Sequence, residues 1–212
     1  MVKFPEPPKA GQLRARAAPT LAVLPAGTLL FRVYFRSGGH PTTWSTFRTF
    51  GPTGARFDHH LADASGQPQV QARGILYATT HGPICLAEVF QRSRVIDRHR
   101  ADPHLTAFVT RREMSLLDLR STWTTKAGAS TAINSGRRDR ARRWSQAIYA
   151  AFETIDGLFH PSSMHGHAPA LALYERATDA LPQSPSLNRA LADAALDGML
   201  RNTAAELGYA LV

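Results

Sequence analysis

The chain has 212 residues, a formal net charge of +9 and a single cysteine, Cys85. That length suits one ordinary domain that folds without a structural metal, and a lone cysteine excludes an internal disulfide. The hydrophobic share of 43% argues against wholesale disorder, and no run of 18 apolar residues is present to span a membrane. Residues 1–9 lack the apolar core of a signal peptide, so a reducing, cytoplasmic home is expected. Lysine occurs only at positions 3, 9 and 126, so the positive charge is almost all arginine. Arginine suits a polyanionic partner through bidentate contacts. A coding bias towards arginine explains the same count.

Residues 1–26 carry Pro5, Pro7, Pro8, Pro19 and Pro25 and read as a Pro-rich N-terminal arm, extended on the surface or partly disordered. Residues 27–212 form the expected domain. Thr28–Arg36 is rich in aromatic and branched residues and predicts a strand. Residues 37–73 are rich in turn residues and long for a plain connection. Gly74–Thr79 predicts a short buried strand, and the spacing of Ile84, Ala87 and Phe90 predicts a helix to about Arg94. Leu105–Val109 and Met114–Leu119 predict strands, and Thr122–Gly136 a loop. Trp144, Ile148 and Phe152 form the apolar stripe of a helix from Arg137 to Phe152. Gly157–His160 and Ala170–Glu175 predict two more strands, and Leu187–Leu207 a closing helix. Strands and helices mix without regular alternation, which points to an α+β fold.

The sequence contains no GxxxxGK[ST], GxGxxG or HExxH pattern. Among nine histidines only His59-His60 and the pair His165 and His167 lie close together. Adjacent histidines on a strand face opposite ways, so no metal site is expected. Cys85 lies among Ile84, Leu86 and Ala87 and reads as an inert buried thiol rather than a nucleophile. Glu88 sits on the same largely apolar helix, where an acid either faces solvent or is held for a purpose. Arg32 interrupts an apolar strand, where a cation often meets an anion. Arg56 follows Gly54, which lets backbone approach a ligand; an ordinary loop arginine is the alternative. His160-Pro-Ser-Ser-Met-His-Gly166 packs hydroxyls between two strands, either as turn chemistry or as donors to a ligand.

These pieces resemble, in order, the RES domain family. The matching residues are Leu30-Phe-Arg-Val33, Gly54-Ala-Arg-Phe57, Ile75-Leu-Tyr-Ala78, Cys85-Leu-Ala-Glu-Val-Phe90, Asp156-Gly-Leu-Phe-His-Pro-Ser162 and Ala170-Leu-Ala-Leu-Tyr174. The resemblance covers about residues 28–176. It implies a single compact α+β domain similar to ADP-ribosyltransferase toxins, with a mixed sheet core and flanking helices. It also implies a bacterial toxin that destroys NAD+ by hydrolysis or phosphorolysis, as an NAD+ glycohydrolase or NAD+ phosphorylase. NAD+ is then substrate rather than cofactor, with phosphate as an optional co-substrate. A cognate Xre/ParS-type antitoxin protein would block the site and supply any link to nucleic acid.

By position, the family's functional residues fall on Arg32, Arg56, Tyr77, Glu88 and Ser162. His160 stands where a tyrosine commonly precedes the Pro-Ser, and Ser163 beside Ser162 leaves a one-residue ambiguity. The implied roles are catalysis by Glu88, Arg32 and Ser162, and substrate binding by Arg56, Tyr77, Ser163 and His160. Two other functions are weighed. One is a mono-ADP-ribosyltransferase that modifies a protein. The other is a basic nucleic-acid-binding module built on Arg137-Arg-Asp-Arg-Ala-Arg-Arg143. Whether the chain forms a homo-oligomer is left open.

Overall fold

A computed structural model describes residues 4–165 and 168–212. The chain runs α1 (Ala10–Arg16), β1 (Leu21–Leu24), β2 (Leu29–Phe35), β3 (Arg48–Gly51) and β4 (Gln69–Thr79). It continues through α2 (Gly82–Phe90), β5 (Val95–Ile96), β6 (Pro103–Val109), β7 (Met114–Asp118) and the four-residue α3 (Trp123–Lys126). Then come α4 (Arg138–Ala151), β8 (Gly157–Pro161), β9 (Pro169–Tyr174), β10 (Leu187–Ala190), α5 (Asp197–Leu207) and β11 (Ala210–Leu211). The main sheet has the order β1-β7-β8-β9-β4-β2-β6-β10, with β3 added beside β4. Among the described residues only β7 and β8 pair in parallel within it; a small parallel pair, β5 with β11, lies apart. This mostly antiparallel mixed sheet with helices against it is the α+β architecture expected.

Alternation along the strands divides the core. On one side α4 lays Trp144, Ile148 and Phe152 over Leu158, Ala172 and Tyr174. The predicted stripe is therefore the buried face. A second cluster gathers Leu30, Leu76, Phe108, Leu171 and Leu173 with Trp44. A third seats α2 and α5 on β2 and β6, through Cys85, Leu86, Phe90, Leu200, Val33 and Leu105. Deleting a fully buried side chain of the size of Trp144 costs about 3–5 kcal/mol.

Three expectations change. Residues 4–26 are not a loose arm. Leu13 of α1 is fully buried, Phe4 joins the same cluster, and β1 pairs with β7 as an edge of the main sheet. Pro5 accepts a hydrogen bond from Trp144 Nε1 at 2.9 Å, and Arg14 Nε caps α4 by donating to Ala151 O. The closing helix begins later than its Ala and Leu spacing predicts. Leu187–Ala190 pairs antiparallel with His104–Ala107 of β6 instead. An open strand edge offers those residues ladder hydrogen bonds that outweigh helix propensity. The helix proper spans Asp197–Leu207 and ends on Gly208 at φ 66°, a left-handed position glycine adopts freely. Third, α2 spans Gly82–Phe90, ending short of the expected Arg94, and it opens with Pro83 in its first turn, where proline is tolerated. Met1–Lys3, Gly166 and His167 lie outside the described residues, and with them the second member of the His165/His167 pair.

Candidate active site

The strongest cluster of polar chemistry lies where α2, the start of α4 and the end of β8 meet over β4. Ile84, Cys85, Leu86, Ala87 and Phe90 bury α2 on the third core cluster. That docking turns Glu88, half-buried, towards a cavity of about 220 Å3. β8 is fixed from both sides, by β7 and by β9. Its start is pinned by Asp156, which takes a forked contact from Arg112 at 2.8 and 3.1 Å and a bond from Ser115 N. Gly157 follows because a Cβ there would lie 2.4 Å from Ala172 O. β8 therefore delivers His160, Pro161 and Ser162 to one fixed place.

The Glu88 carboxylate is held from three directions. Ser162 Oγ donates to Oε1 at 2.5 Å, and Ser163 N donates to the same oxygen at 3.2 Å. Gln91 Nε2 reaches Oε2 at 3.3 Å and the Glu88 carbonyl at 2.7 Å. Ser162 is itself buried, and its Oγ accepts bonds from Met164 N and His165 N at 3.1 and 3.2 Å. The adjacent serines thus do different things. Ser162 holds the acid through its hydroxyl and Ser163 through its backbone, which leaves the Ser163 side chain exposed at the rim.

Phe57, Tyr77, His160 and Leu171 wall the cavity. The loop carrying Arg56 and Phe57 is anchored by Asp58. That carboxylate is buried and binds Arg48 Nη2 at 2.9 Å, Thr53 N at 2.6 Å and His60 Nδ1 at 2.5 Å. Ser145 of α4 donates to Phe57 O at 2.8 Å, tying the loop to the helix. His59 and His60 do not diverge as they would on a strand: they lie outside any strand and their rings stack with centroids 5.1 Å apart. His60 bridges Asp58 and Arg73 O, while His59 stacks on Tyr149 with ring centroids 4.3 Å apart. His160 packs on Phe57 at 4.6 Å, and burial, then the nearby Arg56, pushes its imidazole down to about 4. It is therefore neutral at physiological pH. Burial raises the Tyr77 phenol, whose oxygen finds no partner among the described residues. Burial also pushes the Cys85 thiol up to about 12, as an inert core cysteine requires.

Of the seven residues singled out in sequence, the structure brings six together: Glu88, Ser162, Ser163, Arg56, Tyr77 and His160. Arg56 lines the cavity and donates to Gly136 O at 2.6 Å. Arg32 does not join them. Alternation along β2 places Phe31 and Val33 on the side of α2, and Leu30, Arg32 and Tyr34 on the other. Arg32 Nη1 donates instead to the carbonyls of Trp44 and Thr46, at 2.9 and 3.0 Å. Its expected contact with a ligand is replaced by a bracing of the segment before β3.

Three pocket residues escaped the sequence reading. Gln91 follows Glu88 by one helical turn, a spacing that could have drawn attention to it. Arg138 hides in the basic run at the start of α4. Asn134, whose Nδ2 donates to Leu119 O while its buried Oδ1 finds no partner among the described residues, carries no sequence signal. Asn134, Pro161 and Ser163 also line a neighbouring cavity of about 450 Å3, which includes Arg120 and Thr131. The two cavities thus adjoin along the Pro161–Ser163 turn.

The site can hold a ligand with a cationic or electron-poor centre at Glu88, a planar group against the aromatic wall, and anionic groups near Arg56. No helix among the described residues is long and apolar enough to cross a membrane.

A family model described as the RES domain matches residues 29–196. A search of curated proteins gives no match. Among solved structures, the fold is similar to a chain of the crystal structure of the M. tuberculosis MbcT–MbcA toxin–antitoxin complex. The TM-score is 0.53 and the identity 15%, covering 91% of this chain and 96% of that one. At that identity the likeness speaks to the fold.

Proposed function

The chain belongs to the RES domain family, and from that footing we propose that it is a toxin that cleaves the nicotinamide–ribose bond of NAD+. The observation that carries the reading is the Glu88 carboxylate, fixed by Ser162, Ser163 N and Gln91 at a cavity with an aromatic wall.

Cleavage of that bond sends its electron pair to the nicotinamide nitrogen, which turns a pyridinium into a neutral leaving group. Positive charge builds on the ribose, as in glycoside cleavage. A carboxylate already oriented towards that charge stabilises the transition state without reorganising, an effect worth about 10²–10³ in rate for comparable single groups. In this reading Glu88 is the catalytic residue and Ser162 its positioning residue. Tyr77 and neutral His160 shape the seat for the nicotinamide ring, and the Ser163 hydroxyl lies where a ribose or amide would pass. Arg56 supplies positive charge for the pyrophosphate. Arg32 acts at a distance by bracing the chain before β3. Water adding to the ribose carbon gives ADP-ribose and a proton; phosphate adding there gives a phosphorylated ADP-ribose.

An antitoxin protein that covers the cavity mouth is the partner this reading calls for. The fold shared with a toxin of a toxin–antitoxin complex supports it. The nucleic-acid alternative is weakened, because three of the five arginines of the run turn to acids of the chain: Arg140 and Arg143 pair with Glu6, and Arg137 with Asp139.

Purified protein mixed with NAD+, with and without inorganic phosphate, is expected to release nicotinamide, and Glu88→Ala to abolish the release. The second product identifies the acceptor, and label transferred from NAD+ onto protein would indicate a transferase. Folded wild-type protein that leaves NAD+ intact under both conditions overturns the reading.

A further inference from the structure

The basic run at the start of α4 does not act as one patch. Arg140 and Arg143 turn to Glu6 and Arg137 to Asp139, whereas Arg138 makes no ion pair among the described residues. Arg138 is exposed, lines the Glu88 cavity, and is steered there by Gln91, whose Oε1 accepts from Nη2 at 2.7 Å. The other end of the same amide donates to Glu88. One glutamine therefore sets the spacing between a guanidinium and the carboxylate.

Arg56 stands beside Arg138, with Nη1 bonded to Gly136 O two residues before that arginine. Its guanidinium is disfavoured first by burial and then by Arg138, with Glu88 only partly compensating. Each of the two guanidiniums spends one nitrogen on a neutral protein acceptor, Gly136 O for Arg56 and Gln91 Oε1 for Arg138. The remaining N–H groups of both forks have no protein partner among the described residues. Two cations against one carboxylate leave a surplus positive charge at a single cavity, and like charges held together favour a bridging anion. A ligand with two linked anionic groups answers that arrangement better than a single carboxylate does.

We propose that Arg138 and Arg56 form a clamp for the pyrophosphate of a dinucleotide, with Gln91 as the positioning residue that spaces the clamp from Glu88. The inference rests on the NAD+ reading for its ligand. It gives the second pyrophosphate contact to Arg138 and none to Arg32, whose guanidinium donates to Trp44 O and Thr46 O on the other side of the sheet.

Calorimetric binding of ADP-ribose tests the clamp without relying on turnover. Arg138→Ala is expected to weaken binding about ten- to a hundredfold, as loss of a charge-assisted contact does, and Arg138→Lys by less. Gln91→Leu is expected to weaken it about three- to tenfold while thermal melting stays close to wild type. Arg137→Ala, which removes equal charge outside the cavity, should leave binding unchanged. Wild-type affinity in Arg138→Ala overturns the clamp, as does an absence of ADP-ribose binding by the wild-type protein. Binding that depends on Arg138, in a protein that does not cleave NAD+, would leave the clamp standing and remove the cleavage reading.

Discussion

Replacing Ser162 by alanine removes one oxygen from the centre of the site. That oxygen donates to Glu88 Oε1 at 2.5 Å and accepts from Met164 N and His165 N. Hydrogen bonds to a charged group contribute about 1.5–3 kcal/mol, and a buried donor left without an acceptor costs about 1–3 kcal/mol. The contributions are not independent, since Glu88 keeps its bonds from Ser163 N and Gln91. A net loss of about 2 kcal/mol in stability is expected, which lowers Tm by about 4–8 °C for a domain of this size. The effect on rate comes from the carboxylate, which is now free to swing. Misplacement of a catalytic group by about 1 Å costs about a hundredfold. We therefore expect kcat for nicotinamide release to fall about ten- to a hundredfold with a smaller change in KM. Ser163→Ala should fall by less, because its contact with Glu88 comes from the backbone. Steady-state release measured below the melting range checks both variants. A folded Ser162→Ala protein with kcat within twofold of wild type would refute the argument that Ser162 positions the acid.

The other expectations follow from the same packing. Arg32→Met leaves the carbonyls of Trp44 and Thr46 without their donor and should lower stability by about 2–3 kcal/mol in a urea melt, with KM for NAD+ unchanged in the cold; a large rise in KM without destabilisation would return Arg32 to the ligand. His59 and His160 are buried neutral, and burial holds their folded pKa values at about 3 and about 4, below the ordinary 6.5. The unfolded chain binds protons first, so stability is full above about pH 6.5 and declines as pH falls towards 4. His59→Phe keeps the stack on Tyr149 and removes two buried nitrogens that have no partner among the described residues. It should flatten that acid decline and raise stability at pH 5 by about 1 kcal/mol; a steeper decline in the variant would contradict the assignment. Gly157→Ala drives a Cβ to 2.4 Å from Ala172 O and should cost about 3 kcal/mol or more, read as low soluble yield or a lowered denaturant midpoint.

Much of this molecule was legible in its sequence. Alternating and helical spacings are local properties, so β2, β6, β7, β8, β9 and α4 lie close to where periodicity put them. The stripe Trp144, Ile148 and Phe152 needed no partner to be recognised, because 3.6-residue spacing alone defines a face. Ordered short motifs indicated the family, and of the seven residues singled out five line one cavity, with Ser162 bonded to Glu88 behind it. What local signals could not decide were pairings between distant segments. Leu187–Ala190 became a strand because β6 offered an open edge. Phe4 and Leu13 of the N-terminal segment joined the core because α4 offered them a surface. Arg32 and Glu88 are both charged residues on apolar elements and look alike in sequence. Which of them faces the cavity depends on the side of the sheet on which α2 packs. Gln91 and Arg138 stand 47 residues apart, and only the packing of α2 beside the start of α4 brings them within 2.7 Å. Periodicity belongs to the chain, whereas the meeting of faces belongs to the fold.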